Sequence, residues 1–365
     1  MKRPPSGSAV TKRIRDLRKK IDQIDEEIVQ LLNRRADIVC QIGRVKRTEN
    51  SQIYAPHREK EVYELVTKLN RGPLRPEGIR AIYREVMSAS LALEKPLEIA
   101  YLGPPGTFTH QAVRAKFGHS VRCVPVRAIE DVFYEVAKGQ VDYGVVPVEN
   151  SAEGGVTDTL DMFMEYDIQI CAEMLLAVHH NLMARCVLEK IRRIYSKPQV
   201  FGQCRMWLER NLPEVERVDA ASTSHAAQLA AEEKFAGAIG SVEAGEIYDL
   251  KILARNIEDR HNNTTRFLVL GRENAKATGK DKTSILFTIK DEVGALFQML
   301  RPFETNGINL TRIESRPSKR RAWDYCFFVD FLGHVDQANV RKALAGLEKR
   351  CRSLKVLGSF PAVTT

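Results

Sequence analysis

The first 50 residues carry a repeating apolar pattern that restricts the possible fold more than any other feature. From Ile14 to Val45, apolar residues recur alternately every three and every four positions. This spacing is typical of a long helix that packs against other helices along one face. Such a helix is roughly 50 Å long, and it needs a partner to cover its apolar face. The pattern therefore predicts an all-helical domain over residues 12–95 and an intertwined homodimer.

Arg35 occupies one position of this apolar pattern, and Arg18 and Lys46 border the same face. A buried guanidinium costs several kcal/mol unless an anion compensates its charge. Either Arg35 sets the register of a coiled coil, or the cations line a pocket for a small anion. Arg18 and Arg35 lie roughly 26 Å apart along one helix. A small ligand can therefore contact both only if an antiparallel partner chain supplies one of them.

The formal net charge of +9 is unevenly distributed along the chain. Residues 1–96 contain 21 Lys and Arg against 13 Asp and Glu, whereas the rest of the chain contains 35 against 34. A basic region can attract nucleic acid, an anionic membrane or a small anion. Because the cations lie within the apolar pattern rather than on the outer face, we expect a small anion and no nucleic-acid partner.

The composition is that of a soluble globular protein, with 44% hydrophobic and 28% charged residues. No apolar run approaches the roughly 20 residues of a membrane span. Residues 1–11 are basic and rich in Pro, Ser and Gly, which predicts a disordered tail rather than a signal peptide. The seven cysteines are scattered singly, which argues against a disulfide framework or a metal site. We therefore expect a cytoplasmic protein without a membrane partner.

Three segments of the helical region resemble the all-helical chorismate mutase family: LRKKIDQIDEEIVQLLNRRADIVCQIGRVK (17–46), HRE (57–59) and IYREVMSASLALE (82–94). The resemblance implies that Arg18 of the partner chain and Arg35 hold the two carboxylates of chorismate. It implies catalytic contacts of Lys46 and Glu94 with the ether oxygen, and pocket roles for Arg58, Glu59 and Ser90. Ala55 departs from relatives that place an aspartate there, so a mutase domain decayed into a dimerisation arm remains an alternative.

Residues 97–271 alternate short β-rich runs with helical runs, which is typical of an α/β domain. Polar motifs stand at the ends of the predicted strands, where doubly wound sheets bind ligands. These motifs are GPPGTF (103–108), YGVVPVENS (143–151), SKPQVFGQC (196–204), STSHAA (222–227) and TTRF (264–267). Any single Ser, Thr or Asn among them could instead cap a helix.

Together these motifs resemble prephenate dehydratase. The resemblance implies two α/β subdomains like those of a periplasmic binding protein, over residues 97–175 plus 250–271 and over residues 176–249, with the active site between them. It implies catalysis by Thr265, and Glu149 is the other group that could carry a proton. The residues implied around prephenate are Thr107, Glu149, Asn150, Ser151, Gln203, Ser222, Thr223, Thr265, Arg266 and Phe267.

Residues 272–282 are polar and predict a linker, and residues 283–361 follow the βαββαβ order of an α+β ferredoxin-like module. The runs DEVGALFQML (291–300) and NLTRIESRPS (309–318) resemble the ACT domain of phenylalanine-regulated enzymes. A dimerisation module without a ligand is the alternative. The residues implied to border L-phenylalanine are Glu292, Val293, Gly294, Ala295, Leu296, Asn309, Leu310, Glu314 and Ser315.

The three resemblances together imply an enzyme that converts chorismate to prephenate and prephenate to phenylpyruvate. They imply feedback inhibition by L-phenylalanine and no metal or organic cofactor. Two alternatives stay open: a dehydratase whose helical domain only dimerises, and a ligand-binding regulator without enzymatic activity.

The Glu94→Gln variant tests the implied role of Glu94. A carboxyl group donates a hydrogen bond only when it is protonated, whereas an amide donates at any pH. Our hypothesis is that burial keeps Glu94 protonated near neutral pH, so native mutase activity should fall at alkaline pH. We expect the variant to lose this alkaline decline in a rate–pH profile of chorismate consumption. An unchanged profile would refute the role.

Overall fold

The computed structural model describes residues 7–48, 54–260, 262–289, 292–317 and 325–363, which form three consecutive units. The first, the helical unit, consists of α1 (Gly7–Thr48), α2 (Pro56–Leu69) and α3 (Pro76–Glu94). A proline begins both α2 and α3, because its fixed φ suits the first helical turn. Helix α1 already includes residues 7–11 of the predicted tail, whereas residues 1–6 lie outside the described residues.

The apolar face of α1 is not covered by the other residues that the structure describes. Ile21, Leu31 and Ile38 on this face are 55%, 59% and 58% exposed. Helix α3 contacts both α1 and α2, but it does not cover the apolar pattern. Among the described residues, no other helix covers this face. Over the described part of the chain, no helix is both long and apolar enough to cross a membrane.

The central unit has two lobes, each with its own sheet. The first lobe begins with β1 (Glu98–Leu102), α4 (Phe108–Phe117), β2 (Arg122–Val126), α5 (Ile129–Ala137), β3 (Tyr143–Asn150), β4 (Gly154–Gly155), α6 (Thr157–Glu165) and β5 (Gln169–Ala177). Strand β1 pairs in parallel with β2 and with β3, as expected for α/β connections through helices. Apolar side chains of α5 and α6 cover one face of this sheet.

The second lobe contains five short strands in the order β10-β6-β9-β7-β8. Its elements are β6 (Asn181–Ala184), β7 (Arg193–Ser196), α7 (Pro198–Gln203), α8 (Arg205–Asn211), β8 (Glu216–Asp219), α9 (Thr223–Glu232), β9 (Ala236–Gly240), α10 (Val242–Ile247) and β10 (Lys251–Ala254). The subdomain division differs from the expectation, which assigns residues 250–271 to the first lobe. Strand β10 instead pairs antiparallel with β6, so the chain returns to the first lobe only after it.

That return is made by β11 (Thr264–Gly271), which completes the first sheet. The sheet order is β2-β1-β3-β11-β5, with β4 beside β3. Strand β11 runs antiparallel to both of its neighbours. Seven of its eight residues are buried, because other parts of the protein cover both faces of this strand.

The C-terminal unit has the expected ferredoxin-like βαββαβ order. Its elements are β12 (Asp281–Thr288), α11 (Ala295–Thr305), β13 (Leu310–Pro317), β14 (Tyr325–Leu332), α12 (Ala338–Glu348) and β15 (Ser353–Pro361). The four strands form an antiparallel sheet in the order β13-β14-β12-β15. One face of this sheet packs on α11 and α12 through Phe287, Phe303 and Phe331.

The opposite face of the C-terminal sheet stacks on the first lobe. Leu286, Phe328 and Leu357 of the C-terminal unit share one core with Val146 and Leu268 of the first lobe. Strand β15 lies against β5 at this contact. The two units are therefore joined by a common hydrophobic core and not only by the connecting segment.

Gly358 permits the close approach of these two sheets. Its φ is +152°, and a Cβ atom built on it would lie 2.3 Å from the carbonyl oxygen of Ile170. We expect the Gly358→Ala variant to lose about 1–3 kcal/mol of unfolding free energy through overpacking. Chemical denaturation measures this loss. Gly72→Ala is the control, because nothing lies within 4 Å of the Cβ position there. Equal stability of the two variants would contradict the account.

Candidate functional site

A cleft of about 720 Å³ lies between the two lobes of the central unit. Both lobes contribute the ends of strands and the first turns of helices. Seven of the ten residues expected around prephenate line it: Thr107, Asn150, Gln203, Ser222, Thr223, Thr265 and Phe267. The structure thus brings together motifs that are separated by up to 160 residues in the sequence.

Two of these residues cap helices that begin at the cleft. The Thr107 hydroxyl accepts a hydrogen bond from the backbone N–H of His110 at the start of α4, at 3.3 Å. The Ser222 hydroxyl accepts one from the backbone N–H of His225 at the start of α9, at 2.9 Å. Capping, the simpler interpretation of these motifs, therefore applies to both residues. The positive ends of both helix dipoles also face the cleft, which favours an anionic ligand.

The Thr265 hydroxyl is oriented by Asn150 on the neighbouring strand. Backbone N–H groups of Ala152 and Glu153 donate to Asn150 Oδ1, which fixes the orientation of the side-chain amide. Asn150 Nδ2 then donates to Thr265 Oγ1 at 2.8 Å and to Asn263 Oδ1 at 2.9 Å. Because Thr265 Oγ1 already accepts a hydrogen bond, its own proton is free to be donated into the cleft.

Gln203 connects the two lobes across the cleft. Its Oε1 accepts hydrogen bonds from Asn263 Nδ2 at 3.2 Å and from His180 Nε2 at 2.7 Å. Its Nε2 donates to Glu153 Oε1 at 3.2 Å. Burial lowers the pKa of His180, and a neutral ring that donates through Nε2 carries no proton on Nδ1. A neutral histidine is thus part of the cleft wall.

Several cleft residues were missed by the sequence reasoning: Arg127, Glu153, Lys197, His180 and Asn263. Arg127 follows the end of β2 in the first lobe, and Lys197 follows the end of β7 in the second. The cleft therefore receives one cation from each lobe, which suits a ligand with two carboxylates. Their position directly after a strand is the signal that could have identified them.

Glu149, Ser151 and Arg266 do not line the cleft, in contrast to the expectation. Successive side chains of a strand point to opposite faces. Glu149 pairs with Arg266 across β3 and β11, so both lie behind Asn150 and Thr265. Ser151 closes the strand pair instead, donating to the carbonyl of Asn262 and accepting from the N–H of Thr264. Of the two candidate proton donors, only Thr265 faces the cleft.

Arg266 points into the contact with the C-terminal unit. Its Nε donates to Glu173 Oε2 at 2.8 Å, and its Nη1 donates to Asp330 Oδ2 at 2.5 Å. Burial alone would lower the pKa of this guanidinium, but Asp330 and Glu173 raise it. Glu149 lies 3.4 Å from Arg312 of the same C-terminal unit. Both residues therefore belong to a domain contact.

The GPPGTF turn forms one wall of the cleft. Gly106 has a φ of +88°, and a Cβ atom built on it would lie 3.1 Å from the backbone of Ala244 in the second lobe. Its N–H donates to His110 Nδ1 at 3.2 Å, and its carbonyl accepts from Ser241 Oγ at 2.9 Å. Burial lowers the pKa of His110 to about 4 and raises the pKa of Glu243, which lies 3.2 Å from the same nitrogen.

A second candidate site lies between α1 and α3 of the helical unit. Arg35 Nη1 donates to Ser90 Oγ at 2.7 Å. Glu94 lies one turn after Ser90, and its carboxyl group lies within about 3 Å of a Cβ built on Gly43. Lys46 follows Gly43 by one turn of α1. Four of the residues implied for chorismate are thus near one another.

The other three implied chorismate residues lie elsewhere in the single chain. Arg18 is exposed on α1, roughly 26 Å from Arg35 along the helix. Arg58 is exposed and pairs with Glu61 at 2.7 Å. Glu59 accepts hydrogen bonds from the hydroxyl of Tyr54 at 2.7 Å and from Nζ of Lys116 at 2.8 Å. Since Lys116 belongs to the central unit, Glu59 anchors the helical unit to it.

The implied phenylalanine residues occupy two places on the C-terminal unit. Glu292, Val293 and Leu296 are exposed around Gly294, which precedes α11 with a φ of +79°. Ala295 is buried in the first turn of that helix, Asn309 directly precedes strand β13, and Leu310 begins that strand. Among the described residues, no cluster of His, Cys, Asp or Glu could hold a metal ion at any of these sites.

Glu314 and Ser315 lie on opposite faces of strand β13. Glu314 faces the first lobe, where it pairs with Arg312 and contacts Gly155. Ser315 is exposed on the opposite face of the strand, as the alternation of side chains requires. In the single chain, the Glu314 carboxylate therefore meets Arg312 and is not placed to bind the ammonium group of a ligand.

Family models match all three units. Prephenate dehydratase matches residues 99–275, chorismate mutase type II matches residues 17–95, and the ACT domain matches residues 283–349. The bifunctional chorismate mutase/prephenate dehydratase of Aquifex aeolicus is 49% identical over 353 residues, which cover 95% of this chain and 98% of that protein.

Two solved structures are similar to the central and C-terminal units. The prephenate dehydratase of Arthrobacter aurescens in complex with L-Phe is 33% identical, with a TM-score of 0.68, over 74% of this chain and 93% of that one. GqqA, described as a novel type of quorum quenching acylase, is 28% identical, with a TM-score of 0.67, over 73% and 98%. One fold therefore carries different activities, and the helical unit lies outside both comparisons.

The buried imidazole of His110 should make the stability of the cleft wall depend on pH. The pKa of His110 is lower in the native state than in the unfolded state, so the unfolded state binds a proton more readily. The contribution of His110 to stability is therefore complete above pH 6.5 and is lost progressively as the pH falls toward 4. We expect the melting temperature to fall further between pH 7.5 and 4.5 in the native protein than in His110→Gln. His119→Gln, at an exposed histidine, is the control. Parallel profiles for all three proteins would contradict the prediction.

Proposed function

Because the chain belongs to the bifunctional chorismate mutase/prephenate dehydratase family, we propose that its units perform and regulate two consecutive steps of phenylalanine biosynthesis. The helical unit rearranges chorismate to prephenate. The central unit converts prephenate and one proton from solvent to phenylpyruvate, carbon dioxide and water, and the ACT unit binds L-phenylalanine and inhibits the enzyme. The observation that carries this function is the 49%-identical relative, whose length is matched almost completely and includes all three units. The free cysteines fit a reducing cytoplasm.

The mutase site acts by positioning and by electrostatic stabilisation. A Claisen rearrangement needs no nucleophile, only a chair-like substrate conformer and donors at the developing negative oxygen. Arg35, held by Ser90, binds one carboxylate of chorismate. Lys46 and Glu94 donate to the ether oxygen. Arg18 of a second chain binds the other carboxylate, which makes the exposed apolar face of α1 the dimer interface.

Subunit complementation tests this shared site. Arg18→Ala and Arg35→Ala homodimers should each lose mutase activity. Mixed dimers contain one site with both arginines, so mixing and refolding the two variants should restore activity. Dehydratase activity of the same samples is the control for folding. If the mixture stays as inactive as its components, Arg18 and Arg35 do not act together in one intersubunit site.

The dehydratase site promotes the loss of a hydroxyl group from a dianion. The Thr265 hydroxyl donates a hydrogen bond to the departing hydroxyl group. It is free to do so because its oxygen already accepts a hydrogen bond from Asn150. Arg127 and Lys197 attract the two carboxylates of prephenate. The carboxylate that leaves as carbon dioxide must not be held too strongly, since tight ground-state binding would raise the barrier. Formation of the aromatic ring provides the driving force.

The Thr265→Ala variant tests the proposed donor. We expect its dehydratase kcat to fall by about 10²–10³-fold, the usual cost of removing one transition-state hydrogen-bond donor. Mutase activity should persist, which provides a control within the same molecule. Thr265→Ser keeps the hydroxyl group and should retain most of the activity. Full turnover by the alanine variant would remove Thr265 from the mechanism.

One assay separates the whole proposal from its alternatives. Purified protein receives chorismate or prephenate, and prephenate and phenylpyruvate are followed with and without L-phenylalanine. The proposal predicts that both substrates yield phenylpyruvate and that L-phenylalanine slows its formation. Conversion of prephenate but not chorismate would show a helical unit that only dimerises. Conversion of neither would show a ligand-binding regulator.

A further inference from the structure

A group of four charged side chains lies buried between β11 and the sheet of the ACT unit. Arg266 on β11 bonds Glu173 on β5 and Asp330 on β14. Lys282 on β12 donates to both carboxylate oxygens of Glu173, at 2.8 and 2.9 Å. Two cations and two anions therefore compensate each other, with each unit contributing one of either sign.

Neutral groups of the ACT unit fix the two carboxylates of this group. The Ser284 hydroxyl donates to Asp330 Oδ1 at 2.5 Å, and the N–H of Val363 donates to Glu173 Oε1 at 3.1 Å. Arg266 thus bonds one carboxylate that belongs to the ACT unit and another that this unit holds in place. Arg266 is only 8% exposed, so water cannot replace a lost partner of its guanidinium without movement of the sheets.

The same strand presents Thr265 to the cleft on its other face. Thr265 and Arg266 are consecutive, so displacement of the Arg266 side chain acts on the backbone that carries the Thr265 hydroxyl. The pairing of β11 with β3 shifts register between Arg266 and Phe267. Such irregularities let a strand change its local direction, and they occur often beside active sites.

A short path also leads from Asp330 to the proposed phenylalanine site. Asp330 pairs with Arg312 on β13, and its carbonyl accepts a hydrogen bond from Thr311 at 3.3 Å. The register of β13 against β14 shifts between Leu310 and Arg312, next to the residues implied to border the ligand. Movement of β13 would therefore reach Asp330 through its adjacent strand.

We propose that Arg266 is a positioning residue that aligns Thr265 for catalysis only while it is paired with Asp330 of the ACT unit. The inference rests on the proposed dehydratase function of the cleft. Binding of L-phenylalanine weakens the pairing through β13 and β14 and so lowers turnover. The group transmits the state of the ACT unit to the hydroxyl of Thr265, and it does not bind the substrate.

Asp330→Asn in the full-length protein is the principal test. The amide keeps an acceptor for one hydrogen bond but removes the charge. We expect dehydratase kcat to fall roughly ten- to a hundredfold, as for a slightly misplaced catalytic group. The KM for prephenate should change less than about twofold, because no substrate contact is lost. Mutase activity should be unchanged, and L-phenylalanine should cause a smaller further loss than in the native enzyme.

Asp336→Asn is the matched control, since Asp336 lies exposed on the same unit and should leave both activities and the inhibition unchanged. Ser284→Ala removes only one hydrogen bond to Asp330, so it should lower kcat in the same direction by a smaller factor. This variant decides the question if Asp330→Asn does not fold. If the role were merely structural, either variant would melt at a lower temperature, but its kcat would be unchanged when measured well below the melting temperature.

Native kcat together with native inhibition in folded Asp330→Asn would overturn the proposal. The outcome is distinguishable from failure of the proposed regulation. If the native enzyme binds no L-phenylalanine in calorimetry, the regulatory function fails, and the kcat of the variants without L-phenylalanine still decides the positioning role. If the native enzyme has no dehydratase activity, the proposed function itself fails.

Discussion

The burial of the ACT sheet against the first lobe is the constraint on which the rest of the central architecture depends. Leu286 and Phe328 of one unit and Val146 and Leu268 of the other lie in a single core. Charges that enter such a contact must be compensated, and loss of one partner of a buried pair costs about 3–5 kcal/mol. The pairing of Arg266 with Asp330 and Glu173 follows from this requirement.

The consequence is that one strand serves two sites. Strand β11 presents Thr265 to the cleft and Arg266 to the ACT unit, and Asn150 on β3 orients the hydroxyl of Thr265. The helical unit is connected differently, through polar contacts such as that of Glu59 with Lys116. In the proposed mechanism its reaction needs a second chain, whereas the residues that line the cleft of the central unit all come from one chain.

Much of this could be predicted from particular sequence patterns, and the failures have physical causes. The βαββαβ order of the ACT unit could be predicted, because turn residues separate clear apolar runs. The side of the sheet to which Arg266 points could not be predicted, because β11 is buried on both faces and its sequence shows no polar alternation. Arg127 and Lys197 each follow a strand directly, but only the meeting of the two lobes brings them to one cleft. Strand β10 is too short for its sequence to indicate which strand it pairs with.

Hydrogen–deuterium exchange with and without L-phenylalanine tests the central claim most directly, which is that the ACT unit acts on the cleft through β11. The account predicts that the ligand changes exchange in peptides from β13 and β14 and also in those covering residues 264–271. Peptides of the second lobe that lie far from the cleft should remain unchanged. Changes confined to the ACT unit, with β11 exchanging at its ligand-free rate under full inhibition, would contradict the account.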